Sequence, residues 1–342
     1  MPRGALSGFG AMAAEAHLAG WRTRPEVTIA AIHDPSSERR HHALKLLENV
    51  RVYDDLDLML AGERPDFVDI ASPPAFHAGA VRKALAAGAH VLVEKPLCLD
   101  LVELAGLADF AEQNGRVLMC VHNWKHAPPY RIAQRLISAG RLGEIRHLAL
   151  TRLRSGPAGA GGSTVNGERW RTDSHSGGGI LIDHGWHTFY LAQSLMGGVA
   201  PLAVSAWIDS PPGAAAEDVA DLRIEFPGRR LATIHLSWRA SVRRTSASLY
   251  GDRAMLEIEG DRVFLTERSG KIEDHSVADQ PDDSYHAAWF AGMAGEFLAA
   301  LGQGAGGAIA RQNLAEARAA AGLIDAARRS AARAGALVRL PH

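Results

Sequence analysis

Ala5-Leu6-Ser7 runs into Gly8-Phe9-Gly10-Ala11-Met12-Ala13, a G-x-G-x-x-A turn between a short apolar run and a stretch in which Ala14, His17 and Leu18 recur at helical spacing. The first glycine permits a tight turn and the second lets backbone amides approach a pyrophosphate. Small Ala13 allows close helix-on-strand packing, with the helix N-terminus facing the negative charge. A second apolar run, Val27 to Ile32, ends near Asp34, 21 residues past Ala13, where a carboxylate meets the ribose of a bound dinucleotide. The coincidence predicts a dinucleotide-binding βαβ unit with Gly8, Phe9, Gly10, Ala11, Met12 and Asp34 at the cofactor. The competing reading is an ordinary α/β sheet with a glycine turn and a helix-capping Asp. A carboxylate at position 34 accepts from a 2′-hydroxyl and repels a 2′-phosphate, so NAD is preferred. Arg39 and Arg40 lie just beyond and offer NADP its clamp, or are solvated on a surface helix.

The β-then-α pattern continues. Phe67 to Ala71 reads as a strand stopped by Ser72-Pro73-Pro74, after which His77 opens a helix carrying Ala80, Val81, Ala84 and Leu85. Ala89-His90-Val91-Leu92-Val93 reads as another, ending in Glu94-Lys95-Pro96, and Val117 to Val121 as the last, running into His122-Asn123-Trp124. Ligands of parallel sheets bind beyond the strands' carboxyl ends. Ser72, Pro73, His77, Glu94, Lys95 and Asn123 are therefore expected around the cofactor, with the chemistry near Lys95. Solvated strand ends and plain strand-to-helix connections are the bland alternative. The expected division is a Rossmann domain over residues 1–122 and a substrate-binding and oligomerisation domain over 123–342, its C-terminal helix packing back on the first.

After Trp124 longer alternating runs take over: Ile145 to Leu153, Leu202 to Ile208, Val219 to Phe226, Leu231 to Trp238, Thr245 to Tyr250, Ala254 to Ile258 and Val263 to Thr266. They predict an α+β domain with a large, mostly antiparallel open sheet, Pro227-Gly228 forming a hairpin turn. Its second face needs covering, so the chain is expected to associate as a homodimer or homotetramer through the sheet. Among these strands, Ser176-Gly177-Gly178-Gly179 opens a helix carrying Asp183 and His187 four residues apart, on one face. A carboxylate beside an imidazole orients the ring and raises its basicity, as a proton acceptor requires; a surface hydrogen bond is the plain alternative.

The 342 residues are 47% hydrophobic and 22% charged with net charge −1, an ordinary globular composition that points to neither a nucleic acid nor a membrane as partner. Cys98 and Cys120 are too few for a disulfide framework and indicate a reducing cytoplasm. Sixteen histidines invite a metal reading, but His122 and His126 run into Pro128-Pro129 and closed sites without cysteine are scarce, so no metal is expected.

In order and spacing these segments resemble the glucose-fructose oxidoreductase / inositol dehydrogenase / MocA family of nicotinamide-dependent oxidoreductases across nearly the whole chain. The resemblance rests on Gly8-x-Gly10-x-x-Ala13, Asp34, Ser72-Pro73-Pro74 with His77, Ala87 to Pro96, Gly177-Gly178-Gly179-x-Leu181-x-Asp183-x-x-x-His187 and the helix through Ile324 to Ala327. It implies a Lys95/Asp183/His187 active site in which His187 takes the hydroxyl proton as hydride leaves carbon, Lys95 hydrogen-bonds the developing oxygen charge, and Asp183 positions substrate and lysine. The substrate it implies is a polyol or keto-sugar, bound between the two domains over the nicotinamide. A redox-neutral glycosidase or lyase using NAD transiently lies within the family's range, and a non-catalytic nicotinamide or sugar sensor is the reading from another class. Two departures stand out. Where the family often shows Asn-x-Arg-Phe-x-Pro, this chain has Asn123-Trp124-Lys125-His126-Ala127-Pro128, and where it often has an acidic residue three positions past the histidine, it has Tyr190. His126 and Tyr190 are expected to reshape the substrate pocket, and Trp170-Arg171 to stack on a sugar ring, contact an anion or pack the domain interface.

Overall fold

The computed structural model describes residues 1–157, 164–165, 168–173, 177–278 and 285–340. They divide into two compact units: Met1–Asn123 with Tyr285–Arg318, and Trp124–Ser284 with Ala319–His342.

In the first unit six strands form one parallel sheet: β1 Arg3–Ser7, β2 Thr28–His33, β3 Arg51–Tyr53, β4 Phe67–Ile70, β5 His90–Val93 and β6 Leu118–Cys120, in the order β3-β2-β1-β4-β5-β6. Strands covered on both faces need continuous apolar runs, which is why Phe67–Ile70 and Val91–Val93 are buried throughout. Three of the helices between them start where short polar side chains accept orphan amides. Asp55 accepts from Leu58 N for Leu56–Glu63 and Asp100 from Glu103 N for Leu101–Gln113. The strand order reverses between β1 and β4, and Gly8, Ser72, Lys95 and Asn123 follow the carboxyl ends of β1, β4, β5 and β6.

The division expected at residue 122 is interrupted, because helix Ala287–Gln303 belongs to this unit. Its Phe290, Met293 and Phe297 share a core with Leu6, Trp21 and Phe67, and Phe297 meets Phe67 edge-on at 5.5 Å between ring centres. Apolar periodicity marks such a helix as amphipathic without naming the surface it covers. Asn313, on helix Ala308–Ala331, closes the far edge by accepting from Cys120 N at 2.7 Å and donating to Cys120 O at 2.9 Å.

The second unit is built on nine strands in the order Ile272–Asp274, Arg262–Glu267, Ala254–Glu259, Arg244–Gly251, Ile145–Leu153, Arg230–Ser237, Val219–Phe226, Ala203–Asp209, Val338–Arg339. All neighbours are antiparallel except Ile145–Leu153 with Arg230–Ser237, which are parallel. Each of the seven runs read from alternation is a strand here. One face is core, with Leu148, Leu150, Leu222, Ile224, Ala232, Ile234 and Leu249 all buried. The other carries Ala149, Thr151, Thr233, His235, Asp221, Arg223 and Ser248, with Trp207 and Tyr250 well exposed. Among the described residues no helix is long and apolar enough to cross a membrane.

Candidate active site

In the first unit the glycine turn is built by close approach. Gly8 has φ +87°, and a Cβ there would lie 2.6 Å from Ser72 N, so neither the torsion nor the space admits a side chain. A Cβ on Gly10 would meet only Arg39 Nη1, at 4.0 Å, so the loop is open where a pyrophosphate approaches. Asp34 is buried and braces the turn: Phe9 N donates to its Oδ2 at 2.7 Å and Ser36 N to its Oδ1 at 2.8 Å. Arg39 pairs with the same carboxylate at 3.5 Å, while Arg40 donates to the Asp34 and Pro35 carbonyls at 2.7 and 2.9 Å. Both arginines are thus drawn into the loop itself rather than standing solvated.

Two buried polar atoms on the carboxyl edge of this sheet, Ser72 Oγ and Asn123 Oδ1, have no hydrogen-bond partner among the described residues. Native structures rarely leave such atoms unmet. With the open glycine loop they fit a polar, phosphate-bearing ligand lying across the strand ends, as a dinucleotide does. Phe9 and Met12 lie in this loop, Phe9 buried in the core, Ala11 exposed, and Pro73 extended at the Ser72 turn.

Two residues expected at the cofactor face inward instead. Both ring nitrogens of buried His77 approach carbonyl oxygens, Nδ1 at Pro96 O (2.6 Å) and Nε2 at Ser72 O (2.7 Å), so the ring lies between the Ser72 turn and the turn after Lys95. Burial pushes its pKa down, and a neutral ring donates to only one of the two carbonyls. Glu94 turns one oxygen to His17 Nε2 at 3.1 Å and accepts from Lys95 N with the other at 2.9 Å. Burial pushes its carboxyl up, but the His17 hydrogen bond and charge outweigh this and hold it below its usual value. His17 sits between Glu94 and Asp69, a pairing that helical spacing alone does not show.

In the second unit Gly179, the last of the glycine run, is crowded by protein. Gly179 has φ +111°, and a Cβ there would fall 2.5 Å from the buried Glu217 carboxylate. The chain then forms a π turn, Leu181–Gly185, before the α-helix Trp186–Leu195. Asp183 lies in the π turn and His187 in the α-helix. Asp183 is buried, with Oδ1 at 3.5 Å from Arg171 Nε. The neighbouring His184 brings Nδ1 within 3.5 Å of Asp183 Oδ2. Yet that nitrogen accepts from Trp238 Nε1 at 3.1 Å, so it bears a lone pair and the approach to Asp183 is not an ion pair.

His187 Nδ1 is bonded to Tyr190 Oη at 2.8 Å, and the ring stacks on Trp124 at 4.7 Å between centres. Tyr190 is fully buried and also accepts from Trp124 N at 3.0 Å. The Tyr190 hydroxyl thus holds His187. Beneath them Arg152, fully buried, lies 5.1 Å from the Trp124 ring centre and donates to Tyr130 Oη at 2.6 Å. His126 ends the short turn Asn123–His126, half-buried. Ser176 and the side chain of Trp170 lie outside the described residues. Trp124 and Tyr190 were legible only as departures from a familiar pattern, with no sign of their contact.

Residues 3–122 match the family model described as an oxidoreductase family with an NAD-binding Rossmann fold. Residues 130–257 match that of the GFO/IDH/MocA C-terminal domain. D-glucoside 3-dehydrogenase of Escherichia coli is 26% identical over 304 residues, which cover 83% of this chain and 84% of that protein. A solved oxidoreductase from Agrobacterium radiobacter, in complex with NAD+, L-tartaric acid and magnesium, superposes with a TM-score of 0.83 at 22% identity, covering 99% of this chain and 98% of its own. An inositol dehydrogenase homolog complexed with NAD+ from Azotobacter vinelandii gives 0.83 at 21%, covering 99% and 97%. At such identities the solved structures establish a shared fold.

Proposed function

The chain belongs to the GFO/IDH/MocA oxidoreductase family, whose Rossmann domain binds NAD, and from this we propose that it moves a hydride between the nicotinamide and a secondary alcohol or ketone carbon of a sugar, cyclitol or related polyol. The substrate class is supported by the named activity of the D-glucoside 3-dehydrogenase relative. Bound NAD supplies the hydride acceptor or donor. In the oxidative direction His187 takes the hydroxyl proton on Nε2, its Nδ1 being engaged by Tyr190. Lys95 donates a hydrogen bond to the oxygen as negative charge develops, a contact stronger in the transition state than in the ground state. Asp183 orients substrate and lysine, and Arg171 beside it contacts substrate together with His126.

The observation that carries the reading is the arrangement on one sheet edge. The open glycine turn, two buried polar atoms without a partner among the described residues, and Lys95 all follow the carboxyl ends of β1, β4, β5 and β6. Asp34 favours the 2′-hydroxyl of NAD, and tighter binding of NADH than of NADPH is expected by tryptophan fluorescence. Lys95→Ala should lose roughly 10²- to 10³-fold in turnover, the cost of removing one donor to a developing oxyanion, with NADH binding retained. Wild-type turnover in that variant would falsify the assignment.

The proposal extends to assembly and compartment. The second unit's open sheet face, with Trp207 and Tyr250 exposed, is covered by a second copy in a dimer or tetramer; a monomer mass by light scattering at micromolar concentration removes this part. Two buried free thiols, Cys98 and Cys120, fit a reducing cytoplasm.

A further inference from the structure

His17 ends the π turn Met12–His17 that follows the dinucleotide loop, and its imidazole is completely buried. It stacks on Phe290 at 3.9 Å and 20°. Nδ1 meets both oxygens of Asp69, at 3.0 and 2.9 Å, and Nε2 meets Glu94 Oε1 at 3.1 Å. Ionised carboxylates only accept, so both ring nitrogens donate and the ring is an imidazolium. Burial by itself pushes the pKa of His17 down; the Asp69 and Glu94 carboxylates overturn that and hold it at about 9. Trp21 Nε1 adds a third donor to the pair, to Asp69 Oδ2 at 2.7 Å. On the far side Glu94 Oε2 accepts from Lys95 N. One continuous path of charge-assisted hydrogen bonds thus runs from the floor of the sheet, through His17, to the backbone of Lys95.

A carboxylate beside a lysine has an obvious alternative, to swing onto the ammonium. Here the imidazolium occupies one Glu94 oxygen and the Lys95 amide the other, which fixes the direction in which the chain leaves β5. The glycine turn has separate anchors, Gly8 N on His33 O at 2.8 Å and Phe9 N on Asp34. Cofactor binding and lysine placement therefore answer to different contacts.

We propose that His17 is a positioning residue for the reaction: its charged ring, clamped between Asp69 and Glu94, aims Lys95 by holding Glu94 on the Lys95 amide. This rests on the role given to Lys95 above. Of the charged and titratable groups around the clamp, Asp69 and Glu94 touch the ring, the Lys95 charge helps hold the Glu94 carboxyl down, and the Glu94 charge bears in turn on His77 and the Cys120 thiol.

The test uses full-length His17→Gln and, should that variant fail to fold, Glu94→Gln, which keeps the His17–Asp69 pair. Selective ¹⁵N-lysine labelling gives amide signals for Lys45, Lys83, Lys95, Lys125 and Lys271 alone. In either variant the Lys95 amide should move while the other four stay. NADH affinity should remain within about twofold and turnover on a panel of glucosides and inositols should fall about tenfold, one hydrogen bond's worth of free energy. In a Lys95→Ala background His17→Gln should cost no further turnover. An unmoved Lys95 amide, a loss of NADH affinity matching the loss of turnover, or an equal loss in the Lys95→Ala background each overturns the proposal. Wild-type turnover in Lys95→Ala itself, with the amide shift present, instead rejects the catalytic assignment of Lys95 and leaves the clamp standing as a structural device.

Discussion

Two histidines in this chain stand after glycine-rich turns and beside π turns, and the fold treats them in opposite ways. His17 closes Met12–His17; His187 lies just past Leu181–Gly185. His17 has carboxylate oxygens on both nitrogens and no exposure, whereas His187 has a phenol on Nδ1, a Trp124 face beside it, and 8% exposure. Two carboxylates in a low-dielectric interior hold an imidazole charged. A hydroxyl either donates to Nδ1 or accepts from it, so it serves both protonation states. The partner, rather than the turn before it, decides whether an imidazole becomes a brace or a proton carrier.

The largest expected effect breaks the second half of that contrast. His187→Asn keeps a polar side chain of similar bulk but removes the base, and steady-state kinetics should show kcat lower by roughly 10²- to 10⁴-fold, the range for general acid–base catalysis. NADH affinity should be unchanged, because the glycine loop proposed to bind it belongs to the other unit. Turnover within threefold of wild type would mean that the proton leaves by another group.

The brace is sharpened by pH. A pKa raised in the folded state means that the folded protein holds a proton which the unfolded chain releases near 6.5. The stabilisation is then fully present below about 6.5 and is lost as pH rises toward about 9. Unfolding free energy from urea titrations should fall across that window, with a slope no steeper than one proton allows, about 1.4 kcal/mol per pH unit. His33, His77 and His90 have lowered values and act mainly below 6.5, in the opposite direction. A stability that rises between 6.5 and 9 would contradict a charged His17.

How much of this was legible in the sequence depended on whether a contact is local. The glycine turn, Asp34 and the strand runs lie in periodic or closely spaced patterns, and each reappears in the structure. The alternating runs of the second sheet were equally readable because a period of two has one physical cause. What escaped were pairings across long sequence separations. His17 with Asp69 and Glu94, and helix Ala287–Gln303 against Trp21 and Phe67, leave only polar or apolar residues in unremarkable places. The π turn Leu181–Gly185 between the glycines and the helix likewise left no periodic sign in the sequence. Short strands such as Arg51–Tyr53 and Val338–Arg339 are too brief to show any period.

The smallest effect probes Tyr190, the point at which the two histidines could be made alike. Tyr190→Phe deletes the hydroxyl that contacts His187 Nδ1 and Trp124 N. A neutral hydrogen bond is worth about 0.5–1.5 kcal/mol, so turnover should drop about tenfold or less while the fold persists. Tyr190→Glu goes further, since it sets a carboxylate on Nδ1 and gives His187 the kind of partner that fixes His17. A nearby negative charge favours the imidazolium, and a general base must first shed that proton. The acid limb of kcat/KM for alcohol oxidation should therefore move to higher pH in Tyr190→Glu and stay in place in an aromatic variant that keeps the hydroxyl's surroundings. A limb that moves down, or not at all, would show that the hydroxyl sets the ring's orientation without governing its charge, and the contrast between brace and carrier would then rest on burial alone.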